Sequence, residues 1–301
     1  NDYLAVNQVT VRVGEVERRF DIVLYLNGLP AAIIELKQAG AARVDLTAAH
    51  AQLTTYVREL PMAFRSVVVT VASDGLEAKY GTPFTPLNHF SPWNVDDDGK
   101  PIPIGVQHED SHYGSGIEHL VDGVFNPLRF LQLIRDFTAF DSDPDAGLLK
   151  RIAKPHQYFA VTKAVGTTVQ AVKTNGRAGV VWHTQGSGKS MEMELYANKV
   201  MNHPDLLNPT IVVVTDRTEL DGQLYETFQR SQLLPEAPVR VTRRAQLRTA
   251  LTERVTGGIY FTTLQKFGLS KAERDSGADH PMLTDRSNVI VIVDEAHRSH
   301  Y

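Results

Sequence analysis

The chain of 301 residues contains no cysteine, which excludes disulfide bonds and cysteine-ligated zinc sites and fits a cytoplasmic protein. It also lacks an apolar run long enough to cross a bilayer and an N-terminal signal pattern, so we expect no membrane contact. The chain also lacks a large excess of either sign of charge, because 31 basic and 35 acidic residues give a formal net charge of −4. Any DNA contact must therefore come from a local patch.

What is present is typical of a soluble globular protein, since 42% of the residues are hydrophobic. The length favours two domains over one. The patterns described below predict an α/β fold with a first domain over 1–125, a helical connector over 126–154 and a second domain over 155–301. The chain stops just after a motif, so we expect it to be part of something larger.

A glycine-rich turn organises the second half of the chain. Val180 and Val181 predict a buried strand, the turn Gly186-Ser-Gly188 follows, and a helix-forming segment begins at Lys189. Successive N–H groups in such a turn point at an anion, and the new helix adds its positive end. Lys189 would reach the β/γ-phosphates of ATP, and Ser190 would ligate its magnesium. The alternative is an ordinary glycine turn.

Further apolar runs predict a parallel sheet around this turn. The runs Thr210–Thr215, Gly258–Lys266 and Val289–Val293 are the predicted strands. Asp294 follows the last of them, where a carboxylate must sit to hold Mg²⁺ opposite Ser190. Glu295 would then orient or deprotonate the attacking water.

The first half begins with a predicted meander. Its strands are Val9–Val13, Phe20–Leu26 and Ala31–Leu36, and Asn27-Gly28 marks a hairpin turn. Asp21 lies near the start of one strand, and Glu35 and Lys37 leave one face of its neighbour. Two carboxylates and a lysine can hold Mg²⁺ and position a water for attack on a phosphodiester. The alternative is a surface ion pair on an edge strand.

A predicted amphipathic helix follows the meander, and Val67–Val71 predicts a further strand. Gln52 and Tyr56 lie one turn apart on a helix face other than the apolar one. The apolar face comprises Leu46, Ala49, Leu53, Val57 and Leu60.

The order Asp, Glu-x-Lys and Gln-x-x-x-Tyr resembles the PD-(D/E)xK core of RecB-like nucleases and the N-terminal domain of type I restriction enzyme motor subunits. The resemblance implies a mixed sheet flanked by helices, with Asp21 and Glu35 as metal ligands. It makes Lys37 the catalytic lysine, and Gln52 with Tyr56 a supporting pair near the scissile DNA. These nucleases often carry another acidic residue on a preceding helix, which is not visible here. Glu15 and Glu17, expected in the hairpin turn, are poor substitutes.

The run Thr184-Gln-Gly-Ser-Gly-Lys-Ser190 resembles motif I of superfamily 2 helicases and translocases, and implies a RecA-like P-loop domain. Gln157 resembles the glutamine that reads adenine in these motors, and His297 would couple the nucleotide site to a second motor domain. Residues 216–223 and 258–266 resemble the motifs that track a DNA strand. The residues implied to bind ATP are Gln157, Thr184, Gln185, Gly186, Ser187, Gly188, Lys189, Ser190, Asp294 and His297.

The densest basic cluster of the chain lies in its second half. It is either a phosphate track or a solvated helix face, and it comprises Arg240, Arg243, Arg244 and Arg248. His108, Glu109, Asp110 and His112 look like a metal cluster, but adjacent loop positions seldom converge on one ion, and solvated side chains are favoured. We expect the segment Pro83–Gly116 around them to be a long loop packed on the first domain. Asn126 and Pro127 predict the start of a helix.

The resemblance implies an ATP-dependent, DNA-translocating type I restriction endonuclease subunit. Its cofactors would be ATP and Mg²⁺, and its partners double-stranded DNA with modification and specificity subunits. Alternatives are a superfamily 2 ATPase whose nuclease-like domain is inactive, and a non-catalytic scaffold that binds DNA or subunits. Because arginines from a second motor domain complete hydrolysis in such motors, we expect this chain alone to bind ATP–Mg²⁺ but to hydrolyse it poorly.

Overall fold

The computed structural model describes residues 1–37, 46–104, 114–143, 147–215 and 222–294. The chain divides into two compact units, Asn1–Phe159 and Ala160–Tyr301. Both units combine helices with a sheet, which confirms the α/β class. Within the described ranges, no helix is both long and apolar enough to span a membrane.

The first unit is built on a five-stranded sheet in the order β1-β2-β3-β4-β5. Neighbouring strands are antiparallel except for the parallel pair β3 and β4. A parallel pair needs a crossover, and helix α1 lies between these two strands in the chain. The elements are β1 (Tyr3–Val13), β2 (Val16–Leu26), β3 (Leu29–Leu36), α1 (Leu46–Glu59), β4 (Val69–Ser73) and β5 (Ala78–Gly81).

The turns of the meander follow the local sequence. Asn27 and Gly28 have φ of 51° and 81°, the left-handed pair that a two-residue hairpin requires, which confirms that prediction. The first turn is tighter than expected. Because Val13 already pairs with Val16, Glu17 lies in β2 and not in the turn, so its predicted placement is wrong.

The core of the first unit lies between α1 and the sheet. Leu53 is 3% exposed, and the Tyr56 ring lies 5.0 Å from that of Phe20. Tyr56 therefore belongs to the apolar face of α1, while Val57 is only partly buried. The prediction that Tyr56 faces away from the core is wrong, because its ring is apolar even though its hydroxyl needs a polar partner.

The segment after β5 is packed on the first unit, as predicted, in its described part. Trp93 is fully buried, and a Cβ added at Gly123 would lie 1.9 Å from the Trp93 ring. Asn126 caps the following helix by accepting hydrogen bonds from two backbone N–H groups, which confirms the predicted start. His108, Glu109, Asp110 and His112 lie outside the described residues. The elements are α2 (Gly116–Val124), α3 (Pro127–Asp136), β6 (Thr138–Asp143), β7 (Gly147–Ile152) and α4 (Pro155–Val172).

The second unit is built on a parallel sheet in the order β11-β8-β10-β9. Strands β8 and β10 are buried along their whole length, as expected of a sheet covered on both faces. The predicted strands at 210–215 and 289–293 are confirmed. The elements are α5 (Lys189–Met201), β8 (Thr210–Thr215), α6 (Gln223–Arg230), β9 (Val239–Arg240), α7 (Arg244–Glu253), β10 (Ile259–Thr263), α8 (Lys271–Asp275) and β11 (Val289–Val293).

The strand predicted at Val180 and Val181 is absent. Residues 177–184 form neither strand nor helix, and Val180 and Trp182 are 87% and 84% exposed. No strand among the described residues pairs with this segment. Two β-branched residues favour an extended chain, but a strand forms only against a partner edge, and here that edge is not supplied.

Candidate active sites

The first candidate site lies where β2 and β3 run side by side. Ile22 pairs with Ile34, so Asp21 and Glu35 are neighbours across the two strands. One Asp21 oxygen, Oδ2, accepts the backbone N–H of Leu36 at 2.9 Å. The backbone N–H of Lys37 in turn donates to Ser73 O at 2.8 Å, which holds the end of β3 against β4. The structure therefore brings the three predicted residues together.

The Lys37 ammonium is held from two sides. Nζ donates to Glu35 Oε1 at 2.6 Å and to Gln52 Oε1 at 2.5 Å. The Gln52 amide then donates to the Tyr56 hydroxyl, which donates to the backbone carbonyl of Arg19 at 3.2 Å. Burial raises the pKa of Tyr56, so its hydroxyl stays protonated and can donate. The predicted supporting pair thus joins the site by orienting Lys37.

Glu35 carries the strongest electrostatic signal of this site. Its side chain is 1% exposed, and burial raises its pKa to about 7. The hydrogen bond from Lys37 lowers this pKa in part, whereas the negative charge of Asp21 raises it further. Its second oxygen, Oε2, is buried and has no hydrogen-bond partner among the described residues. A buried carboxylate oxygen without a donor suits a hard divalent cation.

The described ranges contain no group of three or more His, Cys, Asp or Glu side chains placed to hold a metal ion. The carboxylates available to a cation at this site are therefore those of Asp21 and Glu35, next to the Lys37 ammonium. Two carboxylates are enough for Mg²⁺, which keeps several waters and is often bound by one or two carboxylates plus substrate phosphates. The residues present thus fit that cation.

The raised pKa of Glu35 makes the stability of the metal-free protein depend on pH. The folded state binds this proton more tightly than the unfolded chain, whose glutamate has a pKa of 4.5. The stabilisation is therefore complete below pH 4.5 and is lost as pH rises through 7, by about 3 kcal/mol in all. Urea unfolding in EDTA at several pH values measures it. Glu35→Gln should flatten this slope and the exposed control Glu15→Gln should not; equal slopes in all three proteins would refute the assignment.

The second candidate site is the glycine loop before α5. Gly186 and Gly188 have φ of 80° and 87°, a left-handed backbone that only glycine adopts without strain. Ser187 N donates to Thr184 O at 3.3 Å, and Gly188 caps the helix that begins at Lys189. The predicted turn and helix start are confirmed, although the strand before them is not. Lys189 and Ser190 are half-buried in the first helical turn, at the end that attracts anions.

A side-chain pair that the sequence reasoning missed fastens this loop to its helix. His183 Nδ1 lies 2.8 Å from Glu192 Oε2, and the Glu192 side chain is 8% exposed. His183 stands where the generic loop has glycine, and Glu192 lies one turn into α5. An acidic residue in a first helical turn is common at helix starts, so sequence alone did not single it out.

Breaking this pair should weaken nucleotide binding. His183→Ala leaves the buried Glu192 carboxylate without this partner and frees the His183 end of the loop from α5. We therefore expect ATP affinity to fall by about 5- to 10-fold, which corresponds to ~1–1.4 kcal/mol. Calorimetric titration with ATP–Mg²⁺ measures this. The matched control is Glu226→Gln, which breaks the exposed pair of Glu226 with Arg230. An unchanged affinity in His183→Ala would show that the pair does not shape the loop.

Asp294 lies at the carboxyl end of β11. Its backbone N–H donates to Val214 O at 3.0 Å, so it extends the pairing of β11 with β8 to the edge of the sheet. Ligands of open parallel sheets bind at this edge. Glu295 and His297 lie outside the described residues, and their roles stay predictions.

Gln157 occupies a helix-start position. Its side chain is 2% exposed, and its amide oxygen accepts the backbone N–H of Lys154 at 2.9 Å. This contact is typical of the third residue of a helix, which reaches back to the residue before the helix. The contact gives the Gln157 amide a role at the helix start, and adenine recognition stays a prediction.

The predicted basic cluster is only partly exposed. The Arg248 guanidinium pairs with Glu273 at 2.5 Å, and that of Arg240 lies 5.0 Å from the Tyr225 ring centre. Arg243 and Arg244 are exposed at the start of α7. The arginines therefore do not form one continuous exposed track.

Two family models match the chain. Residues 1–89 match the type I restriction enzyme R protein N terminus, and residues 156–301 match the SWI2/SNF2 ATPase. The first model covers the candidate site around Lys37, and the second covers the glycine loop and Asp294.

Curated relatives match the whole chain. It is 40% identical to the type I restriction enzyme HindI endonuclease subunit of Haemophilus influenzae and 36% identical to the putative MjaIXP endonuclease subunit of Methanocaldococcus jannaschii. It is 26% identical to the SauMSSORF170P endonuclease subunit of Staphylococcus aureus. The chain spans 28%, 29% and 29% of the lengths of these relatives. Over its whole length the chain is therefore similar to part of the type I restriction enzyme endonuclease subunits.

Proposed function

We propose that this chain is the nuclease and first motor part of an ATP-dependent, DNA-translocating type I restriction endonuclease subunit. The observation that carries the proposal is the double contact of Lys37 with Glu35 and Gln52, in the region that matches the R protein N terminus. We assign residues 1–125 to a PD-(D/E)xK nuclease core, 126–154 to a connector and 155–301 to a RecA-like domain.

In the nuclease core, Asp21 and Glu35 would hold Mg²⁺, which supplies positive charge for the phosphodiester. Lys37 would orient the attacking water through its remaining N–H group. Gln52 and Tyr56 keep the ammonium in place, because each is hydrogen-bonded to the next and the last to the backbone. A lysine fixed in this way does not have to be ordered again during the reaction.

In the motor part, the N–H groups of the loop 184–188 and the start of α5 would bind the phosphates of ATP. Lys189 would neutralise phosphate charge, and Ser190 with Asp294 would hold the accompanying Mg²⁺. Glu295 would orient the water for hydrolysis. Binding of ATP is thus assigned to the second unit, and cleavage of DNA to the first.

The partners we propose are double-stranded DNA and the modification and specificity subunits of a restriction–modification complex. Support for them comes from the names of the relatives, which are type I restriction enzyme subunits. The chain itself is close to neutral, so the DNA contacts must be local.

The proposal is tested by plasmid cleavage with the full-length subunit and its partners. We expect cleavage only when Mg²⁺ and ATP are both present. ATP hydrolysis with no cleavage would instead identify a motor with an inactive nuclease-like domain. Loss of both activities would identify a binding scaffold.

A further inference from the structure

A strained residue lies inside the first strand of the sheet. Gln8 has φ of 53°, although β1 pairs with β2 on both sides of it, from Asn7 with Ile22 to Val9 with Phe20. The pairing register does not slip, so no extra residue has to be accommodated here. A left-handed backbone at a residue other than glycine persists only where the surroundings enforce it, and such strain clusters at functional sites.

The other residues of the described chain that are left-handed without being glycine have a local explanation. Asn27 lies in the hairpin turn between β2 and β3. Leu207 and Asn208 lie in the turn that leads into β8. Gln8 is the exception, because it lies in a strand and not in a turn.

The strained position stands directly opposite Asp21. Asn7 and Val9 pair with Ile22 and Phe20, which leaves Gln8 and Asp21 facing each other across the two strands. The Gln8 amide Nε2 donates to Asp21 Oδ1 at 3.4 Å. The other Asp21 oxygen accepts the Leu36 N–H at 2.9 Å. Each oxygen of this carboxylate therefore has its own donor, and the two donors together limit its rotation.

Gln8 adds a neutral donor and no charge to the site. Glu35 is the neighbour of Asp21 across β2 and β3, so a further acidic residue here would add repulsion between carboxylates. A glutamine orients the carboxylate without that repulsion, and Gln8 itself is exposed. Groups that hydrogen-bond to a metal-ligating carboxylate orient it and tune the affinity of the site.

We propose that Gln8 is a positioning residue of the nuclease centre, holding the Asp21 carboxylate in the orientation that binds the divalent cation. This inference rests on the proposed function of Asp21, Glu35 and Lys37. It assigns a role to a residue of β1, a strand that otherwise supplies no group to the site.

The test uses two variants of the full-length subunit that remove the amide in different ways. Gln8→Gly tolerates the left-handed backbone. Gln8→Met keeps the length of the side chain and the strain of the backbone. Thr10→Ala, an exposed position on the same strand, is the control. Binding of Mn²⁺ is measured by calorimetry without DNA or nucleotide, the Mg²⁺ dependence of plasmid cleavage is measured with partners, and thermal unfolding reports that each variant is folded.

We expect both Gln8 variants to bind Mn²⁺ about tenfold more weakly, the lower end of the effect of such partners, and to need correspondingly more Mg²⁺ for cleavage. Thr10→Ala should match the wild type. Wild-type Mn²⁺ affinity in both folded Gln8 variants would overturn the proposal and leave the strain as a feature of the edge strand. The variant Asp21→Ala distinguishes failure of the proposed function from failure of the role of Gln8. If Asp21→Ala cleaves normally, the proposed function fails. If Asp21→Ala is inactive while the Gln8 variants are unchanged, only the role of Gln8 is refuted.

Discussion

Lys37→Ala in the full-length subunit is expected to lower DNA cleavage by about 10²–10⁴-fold, the usual size of a positioned proton-transfer group, while ATP hydrolysis stays close to wild type. The reason is local, because the Lys37 ammonium lies between Glu35 and Gln52, where we propose that it orients the attacking water. The glycine loop with Lys189 belongs to the other compact unit. Sites that share no partners usually contribute independently.

Cleavage, ATP hydrolysis and strand displacement should be measured side by side on each variant. Asp21→Ala and Glu35→Ala should behave like Lys37→Ala, because loss of either carboxylate removes a ligand of the cation. Lys100→Ala, an exposed lysine of the same unit paired with Asp98, is the matched control and should cleave normally. Normal cleavage by Lys37→Ala would show that its contact with Glu35 is only a structural ion pair.

Lys189→Ala should remove ATP binding, and with it translocation and cleavage. Lys189 is half-buried at the start of α5, where we propose that the glycine loop binds the phosphates of ATP. Truncating one partner of a desolvated charge pair costs about 2–5 kcal/mol, which weakens binding by roughly 30- to 4,000-fold. Cleavage should be lost as well, because in the proposed function cutting depends on the motor, although the nuclease residues are unchanged.

The measurement is a titration with ATP–Mg²⁺, followed by ATP hydrolysis and plasmid cleavage. Lys199→Ala, at the other end of the same helix, is the control for removing a lysine from α5. Wild-type affinity in Lys189→Ala would show that the loop is an ordinary glycine turn. Retained ATP hydrolysis together with lost cleavage would instead mean that the variant has damaged the nuclease unit.

The sequence was sufficient wherever the determinant was local. Asn27-Gly28 specified its hairpin because few other residues adopt two left-handed conformations in succession. The apolar runs of β8 and β11 specified parallel strands, of which β8 is buried along its whole length, and Gly186 with Gly188 specified the turn before α5. Spacing alone placed Glu35 and Lys37 on one face of a strand but left a surface ion pair as the alternative. The roles predicted for the candidate site residues are implied by the resemblance to RecB-like nucleases and superfamily 2 motors.

The tertiary structure decided whatever depends on a partner distant in the chain. Val180 and Val181 carry a strand signal but have no partner edge among the described strands, so the signal was insufficient. The raised pKa of Glu35 and the hold of Gln52 on Lys37 arise only when α1 covers the sheet. The contact of Gln8 with Asp21 depends on the register of two strands. Propensity acts within a few residues, whereas burial, register and charge proximity are properties of the assembled fold.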